Sequence, residues 1–331
     1  GFLDANQKAK SVETAQKVVG SQDGAGELNA LPESEKAQLA KAVADSQESA
    51  SEYDLTRLAN TVEGYAPKPN YIVKSALNME LIWCPPGSFI MGPSPGQGSP
   101  AHPVILTQGF YLGKYEVTQK EYKKVIGNNP SRYKEENFPV DMINWENALS
   151  FCEALNKKDR PPKGLLFALP TEAQWEYACR AGTSSEFSWG TRVDPFNTGF
   201  SKTGLNRILE VGTFRPNQWG FYDMHGNVAE WTLDQYNPKS YYSNIDKTSN
   251  NPYKVATKLY PRVVRGGSWM NPNYRLRSSS RLPSNKSWKK QDPQIPKSLW
   301  WHTDAQFLGF RIVRPYETPN DDEKEKYWIE K

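Results

Sequence analysis

Cysteine and histidine are both scarce in this chain, with three residues of each among 331. An odd and low number of cysteines excludes a disulfide framework. No histidine precedes His102, which leaves few residues for a histidine-rich metal site. The sequence also has no run of about 18 apolar residues, so it predicts no helix that spans a membrane.

Several common functional motifs are missing as well. The glycine-rich stretch at residues 92–98 has no lysine and opens no helix, which is typical of a loop and not of a phosphate cradle. There is no nucleophile elbow and no internal repeat. The net charge of +4 is not accompanied by a nucleic-acid-binding motif, so no nucleic-acid partner is expected.

Aromatic residues, proline and glycine are abundant. The chain has 11 Trp, 17 Tyr, 25 Pro and 23 Gly, which indicates irregular, loop-rich structure held by aromatic side chains. Its length is sufficient for one large core with an appendage. We divide it into residues 1–70, 71–316 and 317–331, with Pro67 and Pro69 near the first boundary.

The first segment, residues 1–70, has the apolar spacing of helices interrupted by a glycine-rich break at residues 20–26. It is predicted to be a helical arm that packs on the main domain or forms an oligomer or hetero-complex with a partner. A partly disordered linker is the alternative. The last segment, residues 317–331, is a charged tail.

The main segment contains local signals for strands. Residues 79–84 and 88–92 predict a strand pair joined by a turn at Pro85-Pro86-Gly87. Residues 110–117 predict a further strand, and residues 263–265 and 310–313 predict late core strands.

Helix signals are equally local. Thr118 with Glu121, and Thr171 with Gln174, have the spacing of capping boxes that begin helices. A helix between them is indicated by an apolar stripe at helical spacing, formed by Trp145, Ala148, Leu149, Cys152 and Leu155.

Four motifs carry a resemblance to a known family. They are the stretch at residues 169–180, which begins Leu169-Pro170-Thr171, the stretch at residues 226–231, the run Arg265-Gly266-Gly267-Ser268 with its continuation to residue 277, and Gly309-Phe310-Arg311. Together and in this order they resemble the formylglycine-generating enzyme, or sulfatase-modifying factor, family. The resemblance implies an α+β fold: a large C-type-lectin-like domain with small antiparallel sheets, flanking helices and long loops, in addition to the N-terminal arm. In that family residues 79–92 would form the first hairpin.

The same resemblance bears on catalysis. Active members of the family carry two cysteines shortly after the Arg-Gly-Gly-Ser segment, which hold copper and oxidise a substrate cysteine to formylglycine. The corresponding positions here fall at Asn271 and near Arg275. The resemblance therefore favours the fold and argues against this reaction, so we expect no catalytic residues and no copper.

The three cysteines that are present lie elsewhere. Cys84 lies in a predicted strand, and Cys152 and Cys179 lie on the apolar faces of two predicted helices. Some members of the family pair the last two with cysteines in the late strands, and those partner positions resemble Ser278 and Ile312. We interpret the three as buried free thiols, with a Cys152–Cys179 bridge as an open alternative.

Calcium is the metal that the resemblance favours. Asn227 and Glu230, with the backbone carbonyls of Val228 and Ala229, resemble one of the family's calcium loops and supply the oxygen ligands that a hard cation needs. A second site would include Asn197. The alternative is that these side chains hold their loops by hydrogen bonds alone.

The late part of the domain combines basic and aromatic residues, and in the family it lines the substrate groove. Arginine forks and flat aromatic rings suit an acidic peptide, a sulfated or phosphorylated group, or the face of a sugar. The alternative is a solvated rim with the tryptophans in the core. The candidate partner-binding residues are Trp269, Asn271, Tyr274, Arg275, Arg277, Arg281, Trp288, Trp300, Trp301 and His302.

Three functional hypotheses follow from the resemblance. The first is a non-catalytic member that acts as a binding or assembly subunit for a protein or glycan, exported to a bacterial cell envelope, periplasm or medium. The second is a metal-dependent oxidase that uses relocated ligands from Cys84, His225 and His302. The third is a ligand-display module, like receptors of the same fold that retroelements diversify.

Overall fold

A computed structural model describes residues 72–75, 77–93, 100–159, 166–198, 207–241, 247–289 and 305–315. The predictions for the arm at residues 1–70, the tail at residues 317–331, and Trp300, Trp301 and His302 lie outside the described residues. None of the helices in the described ranges is long and apolar enough to cross a membrane.

The described residues form short strands and three α-helices. The helices are α1 (Gln119–Ile126), α2 (Trp145–Asp159) and α3 (Glu172–Arg180), with 3₁₀ turns at Asn273–Arg275 and Lys286–Lys289. The strands are β1 (Ile72–Lys74), β2 (Glu80–Cys84), β3 (Gly87–Met91), β4 (His102–Leu106), β5 (Phe110–Gly113), β6 (Ala229–Gln235), β7 (Ser249–Asn250), β8 (Arg262–Arg265), β9 (Leu282–Pro283), β10 (Leu308–Gly309) and β11 (Val313–Pro315).

The strands form small sheets, in the orders β1-β2-β5-β11, β10-β6-β8-β9 and β3-β4-β7. The first sheet is antiparallel throughout, whereas the other two each include one parallel pair, β10 with β6 and β4 with β7. The predicted α+β class with small sheets and flanking helices is confirmed. Parallel pairing of two strand pairs is the detail that the sequence did not indicate.

The prediction of a first hairpin is wrong. Strands β2 and β3 form where the sequence predicted strands, but they pair with different partners and belong to different sheets. Strand β2 lies between β1 and β5, so both of its edges are already hydrogen-bonded. Strand β3 pairs instead with β4. The segment Pro85-Pro86 therefore carries the chain from one sheet to the next.

Both predicted capping boxes are confirmed. The Thr118 side chain accepts a hydrogen bond from the backbone N–H of Glu121, whose carboxylate accepts from the Thr118 backbone. Thr171 and Gln174 make the same reciprocal pair at the start of α3. Each box satisfies backbone N–H groups that the first turn of a helix leaves without an intrahelical partner.

Helix α2 buries the predicted stripe with one change. Trp145, Ala148, Cys152 and Leu155 are buried, whereas Leu149 is only partly buried. Phe151 takes its place in the core, where it stacks on Tyr122 at a ring-centroid distance of 5.5 Å.

The late strands agree in part with the sequence. Strand β8 forms as predicted, but residues 310–312 lie between β10 and β11 and not within a strand. Phe310 and Ile312 are buried in the core, and Arg311 is buried among carboxylates. Residues 310–312 are therefore buried even though they do not form a strand.

Two hydrophobic clusters make up most of the core. The first packs α1 and α2 against β6 and the late strands, and it contains Cys152 and Trp231. The second surrounds α3 and contains Cys84, Trp175 and Cys179. Helix α3 faces both the second cluster and the loop that follows β8, so it positions the residues described next.

Candidate functional site

The three cysteines are all free and buried, as the sequence predicted. Cys152 lies in the first core cluster and Cys179 in the second, and the alternative bridge between them is not formed. Burial raises the pKa of each thiol. Because the thiolate is the nucleophile and the metal ligand, buried thiols of high pKa suit packing rather than chemistry.

The loop after β8, residues 266–277, contains no cysteine, and the resemblance places the family's two cysteines at Asn271 and near Arg275. At the first position, the Asn271 side-chain oxygen accepts from the backbone N–H of Ser268 at 2.9 Å and from its hydroxyl at 3.0 Å. At the second, Arg275 ends a 3₁₀ turn, with its guanidinium 5.5 Å from the centre of the Tyr274 ring. An amide that closes a turn and a guanidinium do not fit a copper(I) site, for which soft thiolate ligands are selective.

Contacts on several sides hold this loop in place. Trp269 donates its backbone N–H to the carbonyl of Asn227 at 2.9 Å. His225 Nδ1 donates to the carbonyl of Leu276 at 2.7 Å, and the Leu276 side chain is buried beside Phe187. Gly267 has a positive φ of 65°, and a Cβ there would meet the Arg275 carbonyl oxygen at 2.7 Å. The turn therefore requires glycine at that position.

The held loop presents a small exposed surface. Met270 is 45% exposed and Tyr274 is 53% exposed, which is unusual for large hydrophobic side chains. Arg275 lies beside Tyr274. We call Met270, Tyr274 and Arg275 the loop surface. The loop surface includes two of the predicted partner-binding residues, Tyr274 and Arg275. Two others, Trp269 and Asn271, belong to the same loop and are partly buried.

Three other predicted partner-binding residues have different roles. Arg277 pairs with Glu186 at 3.0 Å. Arg281 is turned inward, where its Nε and Nη2 donate to the Glu172 carboxylate at 2.5 and 2.8 Å. Trp288 packs against the first core cluster. Arg281 and Trp288 thus each have a partner inside the domain, and their role in binding a partner protein stays a prediction.

The predicted calcium residues enter two separate hydrogen-bond networks. Both oxygens of Glu230 accept from Arg311, at 2.6 and 2.7 Å, and one also accepts from the Trp175 indole at 2.8 Å. The Asn227 side-chain oxygen accepts from the backbone N–H of Leu209 at 3.0 Å. The Glu230 carboxylate is thus already paired with a buried guanidinium, and a calcium ion there would compete with Arg311. Calcium binding at Asn227, Val228, Ala229 and Glu230 stays a prediction.

Asn197, the residue of the second predicted calcium site, lies in a turn. Its side chain donates to the carboxylate of Asp194 at 2.8 Å, and the backbone N–H of Phe196 donates to the other oxygen of Asp194 at 2.9 Å. Sequence reasoning missed Asp194, although an Asp two residues before a bonded N–H is the signature of an Asx turn.

His225 is a buried loop residue. Its Nε2 accepts from the backbone N–H of Ser188 at 3.2 Å while Nδ1 donates to Leu276, so both ring nitrogens have partners. Burial lowers its pKa to about 4, and the ring is neutral. Its thiol neighbour is Cys179, with Sγ 3.5 Å from Nε2, and not Cys84. Within the described ranges, no three His, Cys, Asp or Glu residues are grouped so that they could hold a metal ion.

A buried ion network on α3 was not predicted. Glu176 is fully buried and pairs with Arg180 and Arg265, and it also accepts from the backbone N–H of Gly92 at 2.9 Å. Burial alone would raise the pKa of Glu176, but the guanidinium groups of Arg265 and Arg180 hold it below its usual value. The arginine of Arg-Gly-Gly-Ser is thus an internal counter-ion. The signal that could have found it is an acidic and basic pair on the apolar face of a predicted helix.

The comparisons with known proteins agree with this fold. The family described as "Sulfatase-modifying factor enzyme 1-like domain" matches residues 72–315, and the chain belongs to this family. The solved structure of PvdO from Pseudomonas aeruginosa superposes with a TM-score of 0.61 at 24% identity, covering 76% of this chain and 100% of that one. At this identity the likeness concerns the fold alone.

Curated relatives include proteins of different activity. The chaperone protein LppX of Paenibacillus barcinonensis is 27% identical over 215 residues, which are 50% of this chain and 71% of LppX. The formylglycine-generating enzyme of Mus musculus is 32% identical over 164 residues, 44% of this chain and 40% of the enzyme. The inactive Cα-formylglycine-generating enzyme 2 of Mus musculus is 28% identical over 201 residues, 56% and 51% of the two chains. The chain thus spans about half or less of both mouse proteins.

Proposed function

We propose that this protein is a non-catalytic member of its family that binds a protein partner through the loop surface, as a binding or assembly subunit. The observation that carries the proposal is the pair of residues at the family's copper positions. Asn271 closes a turn with Ser268, Arg275 lies beside Tyr274, and all three thiols of the chain are buried elsewhere. The similarity to a relative named inactive and to one named a chaperone supports a role without the oxidation.

The chemistry of the loop surface suits a protein partner. Tyrosine and arginine are enriched among residues that dominate binding energy at interfaces, and exposed methionine adapts to irregular apolar surfaces. The backbone beneath them is already fixed by the contacts of Trp269, Asn271 and Leu276. A loop that is ordered before binding loses less conformational entropy when the partner binds. Arg275 favours a carboxylate on the partner.

Affinity capture from the native cells tests the binding role. The full chain and its Tyr274→Ala variant would be cross-linked in cells, captured under identical conditions and compared by quantitative mass spectrometry. Val255→Ala is the matched control, because Val255 is 50% exposed and lies outside the loop surface. We expect one protein to be enriched with the wild type and the control and lost with Tyr274→Ala. Equal recovery with all three chains would contradict the proposal.

A separate assay tests the absence of catalysis. The purified chain would be incubated with copper, oxygen and a sulfatase-type peptide containing cysteine, and the peptide mass would be followed. We expect the cysteine to remain unchanged, since no thiolate pair is available at Asn271 and Arg275. Conversion of the peptide at a rate above that of copper alone would overturn this part of the proposal and favour an oxidase with other ligands.

We also propose that the protein acts outside the cytoplasm, in a bacterial cell envelope. Fractionation of the native cells, with a cytoplasmic and a periplasmic marker in the same samples, tests this location.

A further inference from the structure

A cavity of about 390 Å³ has none of the loop-surface residues in its lining. It is bounded by β4, the beginning of α3, and the segments at residues 234–241 and 249–254. Its volume falls within the range of small-molecule sites. Neither the family's copper positions nor the predicted calcium residues line the cavity, so a ligand bound there would occupy a different site from both.

One pair of opposite charges at the cavity is already matched. Glu172, at the start of α3, accepts hydrogen bonds from the Arg281 guanidinium at 2.5 and 2.8 Å. This guanidinium lies 4.3 Å from the centroid of the Tyr241 ring, whose centroid lies 4.7 Å from that of the His102 ring. Burial lowers the pKa of His102, so its ring is neutral near pH 7. These four side chains therefore form a wall without a net charge.

Asp234 is a second carboxyl group of the lining, and among the described residues no cation forms an ion pair with it. Its side chain is buried, and its two oxygens accept the backbone N–H groups of Glu172 at 2.7 Å and of Lys254 at 2.9 Å. Each oxygen has a second lone pair available. Burial, followed by the nearby charge of Glu172, raises the pKa of Asp234 to about 7. A cationic group in the cavity would supply the counter-charge that this carboxylate lacks.

The Lys254 side chain carries the opposite charge. It lines the cavity, is exposed to solvent, and its ammonium makes no described hydrogen bond or ion pair. Its backbone N–H, in contrast, donates to Asp234. A ligand carboxylate near the solvent would therefore meet the Lys254 ammonium, while an ammonium on the same ligand meets the buried Asp234.

These two charges, which no described contact matches, select the class of ligand. A carboxylate alone would bring negative charge to Asp234, and an ammonium alone would add positive charge beside Lys254. A neutral ligand would match neither group. A zwitterion matches both, and the buried Met91 and the partly buried Tyr253 provide apolar surface for its carbon chain.

We propose that this cavity binds a small zwitterion of the amino-acid class, with its ammonium on the Asp234 carboxylate and its carboxylate on the Lys254 ammonium. The site does not depend on the protein-binding role of the loop surface, because none of the loop-surface residues lines it.

Saturation-transfer NMR on the full chain at pH 8 tests the class of ligand. The probes are the common amino acids at millimolar concentration. An amino acid that binds is then compared with its N-acetyl derivative, which lacks the ammonium, and with its decarboxylated amine. We expect binding of at least one amino acid, about tenfold weaker binding of the N-acetyl derivative and about threefold weaker binding of the amine. Binding of no amino acid, or of either derivative as tightly as its parent, would overturn the proposal.

The pH dependence of binding tests the contact with Asp234. The titratable or charged groups around this carboxyl are Glu172, Tyr253, Lys254, Arg262 and Arg281. An amino acid keeps both of its charges between pH 6 and 8, whereas about one Asp234 in ten is ionised at pH 6 and most are ionised at pH 8. The dissociation constant at pH 6 should therefore be about tenfold that at pH 8. A constant affinity over this range would contradict an ammonium held by ionised Asp234.

Variants at the two charged positions locate the site. Lys254→Gln removes an exposed ammonium and should weaken binding about threefold. Lys258→Gln is the matched control, because Lys258 is exposed on the same segment and does not line the cavity. Asp234→Asn should weaken binding about tenfold and remove its pH dependence. Thermal melting establishes that each variant is folded. Equal affinity of the wild type and Lys254→Gln would refute the assignment to this cavity.

Discussion

At the scale of single residues, Arg311 is the donor of a buried network of hydrogen bonds. It donates to Glu230 and to the backbone carbonyls of Gly113 and Tyr222. Burial raises the pKa of Glu116 and raises that of Asp223 to about 7, and the nearby charge of Glu230 adds to both shifts. The cation therefore has one carboxylate within hydrogen-bond distance, and loss of that partner leaves it with backbone carbonyls and two more distant buried acids.

Replacement of Glu230 by Gln tests this pairing. Removal of one partner of a buried ion pair costs about 3 to 5 kcal/mol, so Glu230→Gln should lower the free energy of unfolding by that amount in urea denaturation. Glu80→Gln is the matched control, because its pairs with Lys114 and Lys74 are partly exposed and should contribute at most about 1 kcal/mol. Similar losses in the two variants would show that Glu230 does not neutralise Arg311.

At the scale of elements, helix α3 is short and carries much of the interior. It has nine residues, of which eight are buried, including the ion-paired Glu172, Glu176 and Arg180. A helix of this length is unstable in isolation, so caps and tertiary packing must hold it. Its capping box was readable from the spacing of Thr171 and Gln174, whereas the partners of its charged residues were not.

Removal of the α3 cap should be measurable. Thr171→Ala loses the hydrogen bond from the side chain to Gln174 N–H, and the free energy of unfolding should fall by about 1 kcal/mol. Thr171→Ser keeps the hydroxyl and should retain most of the stability. Both are measured by urea denaturation. If Ser and Ala were equally destabilising, the methyl group rather than the cap would be the cause.

At the scale of the whole molecule, burial raises the pKa of many of the acidic groups discussed above. The thiols and several carboxylates lie in the interior, where burial raises their pKa. The domain therefore keeps its thiols protonated.

The pH dependence of stability should reveal one buried carboxyl. Burial, followed by the nearby charge of Glu172, raises the pKa of Asp234 from 3.8 to about 7. The folded protein thus holds a proton that the unfolded chain releases, so the stability from this group is full below about pH 4 and is lost as the pH rises to about 7. Asp234→Asn removes this loss. Between pH 4 and 7 the free energy of unfolding of the wild type should fall relative to that of the variant, whereas parallel profiles would contradict the raised pKa.

Thiol reactivity is a second global test. None of the three cysteines should react with Ellman's reagent in the native state, and all three should react in urea, because their thiols are buried and of raised pKa. Tyr274→Cys is the positive control, since that position is 53% exposed and should add one reactive thiol. A fast-reacting thiol in the native wild type would show that one of the three cysteines is accessible.

Short-range features of this protein were determined by the sequence alone. The two capping boxes, the stripe of α2, the buried thiols and the absence of cysteine at Asn271 all depend on residues within a few positions of each other, or on residue type. Four motifs in order were sufficient for the fold class.

Contacts between distant parts of the chain were decided only by the tertiary structure. Arg281 and Glu172 are 109 positions apart, and Arg311 and Glu230 are 81 apart. Strands β2 and β3 are neighbours in sequence but members of different sheets. Local spacing sets which residues share a face of a helix or strand, but which faces meet depends on how the whole chain packs. For that reason the sequence did not show that Arg281 and Glu230 each have a buried counter-ion.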